Sequence, residues 1–227
     1  MSRIAQPAGE RGSLKWIQRL VNDRPDLLDM DIRSRLPGHP AIEWLSPLAS
    51  DDFAEYRDSS FLELLGEAAL SDELSSFWPS RGPQWDALGR SASGDLILLE
   101  AKAHIAEVFS PATQAGESSR AMIDRALSEA VDAVGASPRA PWAEVFFQYA
   151  NRLAHLDFLR RKHGRPAWLV FLYIVGDEEM GGPSRAAEWQ AALDVVKYVL
   201  GLPKRHPLSP YVVDVFVSAD EIASVDR

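Results

Sequence analysis

The 227-residue chain contains no cysteine. That excludes disulfides, thiolate metal centres and cysteine nucleophiles. Long apolar runs are missing as well. The longest, AWLVFLYIV at 167–175, falls far short of the ~20 residues a membrane-spanning helix needs. The first thirty residues hold no apolar block of the ~7–15 residues found in secretory signals, so a cytoplasmic location is expected. Basic residues are also in deficit: 24 Lys and Arg stand against 33 Asp and Glu, a net charge of −9. Binding along a phosphate backbone favours the opposite sign. Composition therefore argues against a non-specific, high-affinity nucleic-acid coat. It leaves room for an enzyme with a local basic groove beside an acidic centre.

What is present reads as one sizeable domain, or one domain with an N-terminal extension. Ser13 can cap a helix whose apolar face is Trp16, Ile17, Leu20 and Val21. The proline-interrupted stretch 24–48 is expected to be extended chain with short helical turns. A helix should follow from 58–60 through FLELLGEAAL, with Glu63 and Glu67 opposite its apolar arc. After the turn SRGP at 80–83, a strand around 85–89 and a strand over 95–105 form a hairpin. Helices are expected over about 117–134 and from Pro141 to His163, with Gly135 and Gly164 as stops. A strand at 167–175, a helix at about 184–200 and a strand at 211–217 complete the order, implying a parallel pair with a right-handed crossover. No internal repeat or long low-complexity segment interrupts it. The class is α/β: a mixed sheet, antiparallel hairpin plus parallel strands, flanked by helices. The expected division is a helical and irregular extension, 1–57, packed on a core of 58–227.

The stretch PQWDALGRSASGDLILLEAKAH, 83–104, carries the chemistry. Alternate residues of its second half put Leu96, Leu98, Glu100, Lys102 and His104 on one face, and only apolar residues on the other. Such a strand is buried on both faces at its start and gains ionisable groups on one face at its end. Unpaired buried charge is costly, so these groups need partners, a metal or a cleft. Asp86 lies on the hairpin partner. Two carboxylates in reach of each other repel, and a hard divalent cation such as Mg²⁺ relieves that repulsion. Lys102 can then orient a water or stabilise charge developing on a phosphate. The alternative is a structural Glu100–Lys102 pair at a solvated strand end, with Asp86 a loop carboxylate.

Asp86, thirteen intervening residues, then Glu100-Ala101-Lys102 after an aliphatic strand resembles the PD-(D/E)XK, or restriction-endonuclease-like, nuclease superfamily. The similarity covers about residues 58–217, and Trp85 stands where the motif has Pro. The resemblance implies an α-β-β-β-α-β core, a Mg²⁺ or Mn²⁺ cofactor held by Asp86 and Glu100, and Lys102 assisting the attacking water. The substrate would be nucleic acid, with DNA expected. Only two strands of the implied three are evident in the hairpin region, with 76–82 the candidate for the third. The family often adds an acidic residue from the preceding helix. Glu63 and Glu67 both qualify, with Glu63 preferred for its mid-helix position. Some members carry Gln-x-x-x-Tyr on a later helix, and here Gln148-x-x-x-Arg152 keeps the spacing with a cation in place of the phenol. His104 is a candidate for a supporting role beside the site.

Other signals are weaker. RRKHGR at 160–165 could contact phosphates, but cations in the last turn of a helix more often complement its dipole. GDEEMGGPS at 176–184 lacks the lysine of a phosphate loop. Trp16, Trp142 and Trp189 occupy core positions of helices, while Trp78 and Trp85 flank the turn into the hairpin. The leading expectation is a metal-dependent nuclease. The alternative is a binding or assembly module that keeps the fold without turnover, which the net charge favours.

Overall fold

A computed structural model describes residues 2–224. The first elements are a two-residue strand β1 (Arg3–Ile4), then helices α1 (Gly12–Asn22) and α2 (Pro25–Arg35). Strand β2 (Ile42–Ser46), the short strand β3 (Glu55–Tyr56) and helices α3 (Asp58–Leu64) and α4 (Ser71–Phe77) follow. The centre of the chain is the hairpin β4 (Ala87–Ser91) and β5 (Leu96–Lys102), then α5 (Glu117–Val134) and α6 (Phe147–Asp157). It closes with β6 (Ala167–Val175), α7 (Ala186–Val199), β7 (Val212–Ser218) and α8 (Ala219–Ala223).

Five strands form one mixed sheet in the order β2-β4-β5-β6-β7. The pairs β2–β4 and β4–β5 are antiparallel, while β5–β6 and β6–β7 are parallel. Every residue of β5 is buried, as the continuous aliphatic run requires of a central strand. Strand alternation divides the core into two layers. Ile97, Leu99, Ala101, Val170, Leu172 and Val215 pack with Trp16, Ile17 and Leu20 of α1 and Leu28 and Ile32 of α2. On the other face Leu88, Leu96, Leu98, Leu169, Phe171 and Tyr173 pack with residues of α3 through α7.

Stretch 24–48 departs from the expected extended chain. Pro25 occupies the first helical turn, where its missing N–H is not needed. Leu28 and Ile32, one turn apart, then supply a buried stripe for α2. Ile42–Ser46 is the third antiparallel strand, pairing Ile42 with Ser91 and Trp44 with Gly89. Segment 76–82 does not supply it, because 76 and 77 end α4 and a turn follows. The expected extension thus contributes α1, α2 and the edge strand β2 to the same layers as the remainder.

Two expected helices are also interrupted. Gly66 at φ +77° ends α3, and a 3₁₀ turn at Ala68–Leu70 leads into α4. Phe146, at φ 53°, holds 141–146 out of the helix, so α6 begins at Phe147 and runs through a π turn at Phe158–Lys162.

The loop after β6 packs against the chain just beyond Lys102. A Cβ on Gly182 would stand 2.3 Å from the Ala103 carbonyl oxygen. Gly182→Ala should therefore cost about 1–3 kcal/mol through overpacking, read as a lower denaturant midpoint. An unchanged midpoint would show that this contact does not fix the end of β5.

Candidate active site

The carboxyl end of β5 and the chain entering β4 border a cleft of about 920 Å³. Leu96, Leu98, Glu100 and Lys102 share the sheet face covered by α3–α7. Ala87 stands opposite Leu99 across the hairpin. Asp86, one residue earlier, therefore meets the end of β5, and its Oδ2 accepts the Ala101 N–H at 2.7 Å. Asp86 and Glu100 both line the cleft. The structure thus brings Asp86 and Glu100 to one cleft, while Lys102 pairs with Glu100 but is not itself among the lining residues.

Glu100 is 2% exposed and Lys102 9% exposed. The Lys102 ammonium donates to Glu100 Oε1 and, at 3.0 Å, to Gln148 Oε1. Arg152, 3% exposed, donates to Glu100 Oε2 from Nε at 2.8 Å and again from Nη2. Three further contacts fix the guanidinium: the Gln84 carbonyl at 2.7 Å, Asn151 Oδ1 at 3.0 Å, and the Trp85 ring 4.6 Å from the charged carbon. The i, i+4 spacing on α6 delivers Gln148 and Arg152 to the two partners of one ion pair. The cation at Arg152 thus serves the Glu100 carboxylate, a role a phenol at that position would not fill.

Glu63 is exposed on α3, whose Phe61 and Leu62 face the core, and does not line the cleft. Glu67 pairs with Arg165 at 2.7 Å. The third acidic side chain in the cleft is Glu55, on the two-residue strand β3. Its Oε2 accepts from Gln6 at 3.0 Å and from Gln84. Tyr56 bridges to Trp85, one residue before Asp86, which brings Glu55 to the site. His104 lies beyond the strand end and faces Glu107 at 3.7 Å, outside the cleft lining.

The four cations of 160–165 are occupied by their own protein. Arg161 pairs with Asp157, Lys162 with Glu129 and Arg165 with Glu67, while Arg160 donates to the Ala167 carbonyl and stacks on Tyr211. Trp78 and Trp85 are buried, 5% and 0% exposed, and present no stacking face to solvent.

Burial alone would raise the Glu100 pKa, but the charges of Arg152 and Lys102 outweigh it and hold the carboxyl below its ordinary range. Asp86 moves the other way. Burial and then the Glu100 charge push it well above the ordinary aspartate range, only partly offset by Lys102. Glu55 is raised by burial, against the Gln84 hydrogen bond and with the Glu100 charge adding to the rise. His155, among Phe61, Phe77, Trp78 and Trp85, is lowered to about 3 by burial and is neutral.

The donor chemistry fits a hard cation: the Asp86 and Glu100 carboxylates both line the cleft, and the second Asp86 oxygen accepts no hydrogen bond among the described residues. No group of three His, Cys, Asp or Glu side chains is arranged to hold a metal among the described residues. Mg²⁺ does not require one, since it is commonly held by one or two carboxylates, waters and substrate phosphate. Comparison with known proteins finds no matching family model, no similar curated protein and no similar solved structure.

Two outcomes follow from these charges. A raised folded-state pKa at Asp86 means that its stability contribution is full below the ordinary aspartate range and falls as pH rises through and above it. Asp86→Asn keeps an oxygen for the Ala101 N–H. It should raise the thermal midpoint at neutral pH, by an amount that vanishes below about pH 4. A difference independent of pH would remove the electrostatic explanation. Arg152→Met should lower stability by about 3–5 kcal/mol in denaturant titration, because it strips a buried carboxylate of one of its two cations. A loss under about 1 kcal/mol would mean that Lys102 alone compensates Glu100.

Proposed function

We propose that the protein hydrolyses phosphodiester bonds in nucleic acid, DNA being the expected substrate, with a Mg²⁺ or Mn²⁺ cofactor. The observation that carries this reading is that Asp86 and Glu100 line one cleft at the end of the paired strands β4 and β5, with Lys102 ion-paired to Glu100. The strand order lends support. Three antiparallel strands followed by parallel strands, with α5 and α6 between β5 and β6, accord with a restriction-endonuclease-like core.

Asp86 and Glu100 would hold the metal, with the Ala101 carbonyl a further oxygen at hand. When bound, the metal supplies Lewis-acid polarisation of the phosphoryl group. Lys102 has three N–H donors, of which Glu100 and Gln148 take two. The third can orient a water nucleophile or meet negative charge developing on a phosphate oxygen. Gln148 thereby acts on the ammonium of Lys102, fixing where it points. Arg152 keeps Glu100 ionised and immobile. Glu55, raised chiefly by burial, can hold a proton at its carboxyl oxygen within the cleft.

One observation favours a second reading, a binding or assembly module without turnover. Both Glu100 oxygens are engaged by cationic side chains. A metal would have to share them.

The test is a cleavage assay on single-stranded, duplex and branched DNA and on RNA, with and without Mg²⁺, alongside Mn²⁺ binding. Lys102→Ala and Asp86→Asn should each lower the metal-dependent rate by at least about 10²-fold, since the interactions removed contribute several kcal/mol and roughly 1.4 kcal/mol is tenfold. A wild-type protein that binds no Mn²⁺ and cleaves none of these substrates would leave the binding module standing.

A further inference from the structure

The turn 79–83, Pro-Ser-Arg-Gly-Pro, forms one lip of the cleft, and all five residues line it. Its backbone is fixed from outside the turn. The Asp58 carboxylate accepts the N–H of Arg81 at 3.2 Å and of Gly82 at 2.9 Å. Gly82 is packed so closely that a Cβ there would meet the Trp78 ring at 3.1 Å. Prolines close the turn on both sides.

Arg81 sits within this frame at φ +66°. The left-handed region disfavours a residue with a Cβ, and glycine would occupy it without strain. Strain of this kind persists where surrounding structure over-determines it, and it clusters at sites that bind and react. The side chain is exposed and has no carboxylate partner among the described residues. Arg152, the other arginine lining the cleft, is committed to Glu100. The remaining charged lining residues, Glu55, Asp86 and Glu100, are acidic. A polyanion approaching that centre needs a cation at the rim.

We propose that Arg81 is a positioning residue that clamps a substrate phosphate adjacent to the scissile one. The guanidinium matches two phosphate oxygens at once, and an ammonium does not. The turn holds the arginine's backbone in place before substrate arrives, which lowers the ordering cost of binding. This assignment rests on the phosphodiester reading above and extends it to where the neighbouring part of the substrate lies.

Binding separates the two. The full-length protein, in EDTA, is titrated with a fluorescently labelled single-stranded DNA oligonucleotide over a range of salt concentrations. Arg81→Gln should weaken binding by about tenfold and reduce the slope of log K against log salt by about 0.7, one phosphate contact on a single strand. Arg81→Lys should recover the slope and only part of the affinity. Arg81→Gly removes the strain as well as the cation, so it should lose affinity like Arg81→Gln while its thermal midpoint holds or rises. Mn²⁺ binding should be unaltered in all three, which isolates the clamp from the metal ligands. If wild type cleaves DNA while Arg81→Gln binds with wild-type affinity and slope, the clamp is overturned and the nuclease reading survives. If wild type neither binds the oligonucleotide nor cleaves, both fall.

Discussion

The site depends on one buried carboxylate, Glu100, held between Lys102 and Arg152. A carboxylate this deep in the sheet would protonate or destabilise the fold if left alone. Two cations keep it ionised, and each must itself be compensated. Lys102 is shared with Gln148, while Arg152 is shared with the Gln84 carbonyl, Asn151 and the Trp85 ring. Those contacts tie α6 to the end of β5 and to the chain entering β4. Burial raises its two neighbours, Asp86 and Glu55, and the negative charge on Glu100 adds to the rise in both.

Such a pair is weak evidence for stability, because desolvation offsets most of the Coulomb attraction. Its consequence is geometric. Arg152 is planar and held on three sides, so it fixes the orientation of Glu100 in a way that Lys102, a flexible point charge, cannot. The alternation of β5 does the rest. The odd-numbered side chains Ile97, Leu99 and Ala101 bury against α1 and α2, which prevents the strand from slipping by one residue. A slip would move Glu100 and Lys102 into that apolar layer.

Much of this was legible in the residues. Leu96 to Lys102 announces a strand buried on both faces that ends in charge, and the i, i+2 spacing puts Glu100 beside Lys102. The same applies to Gln148 and Arg152, one helical turn apart. Strand β2 was harder, because Pro37, Pro40 and Pro47 surround a segment whose pairing with β4 lies more than forty residues away. Glu55 carried no local signal at all. A two-residue strand has no period to detect, and its approach to Asp86 depends on the Tyr56–Trp85 bridge. Glu63 had helical periodicity in its favour, but facing away from the apolar arc placed it in solvent, outside the cleft lining. Polar periodicity identifies the outward face of a helix and does not say whether a site or water lies there.

The net charge of −9 and a phosphate-bearing substrate are compatible once the location of each charge is considered. Cations of the 160–165 cluster are paired within the protein, so the basic run presents no free field to a polyanion. Arg152, lining the cleft, and Lys102 both pair with Glu100. Asp86 and Glu55 carry the remaining electrostatic cost, and protonation relieves it.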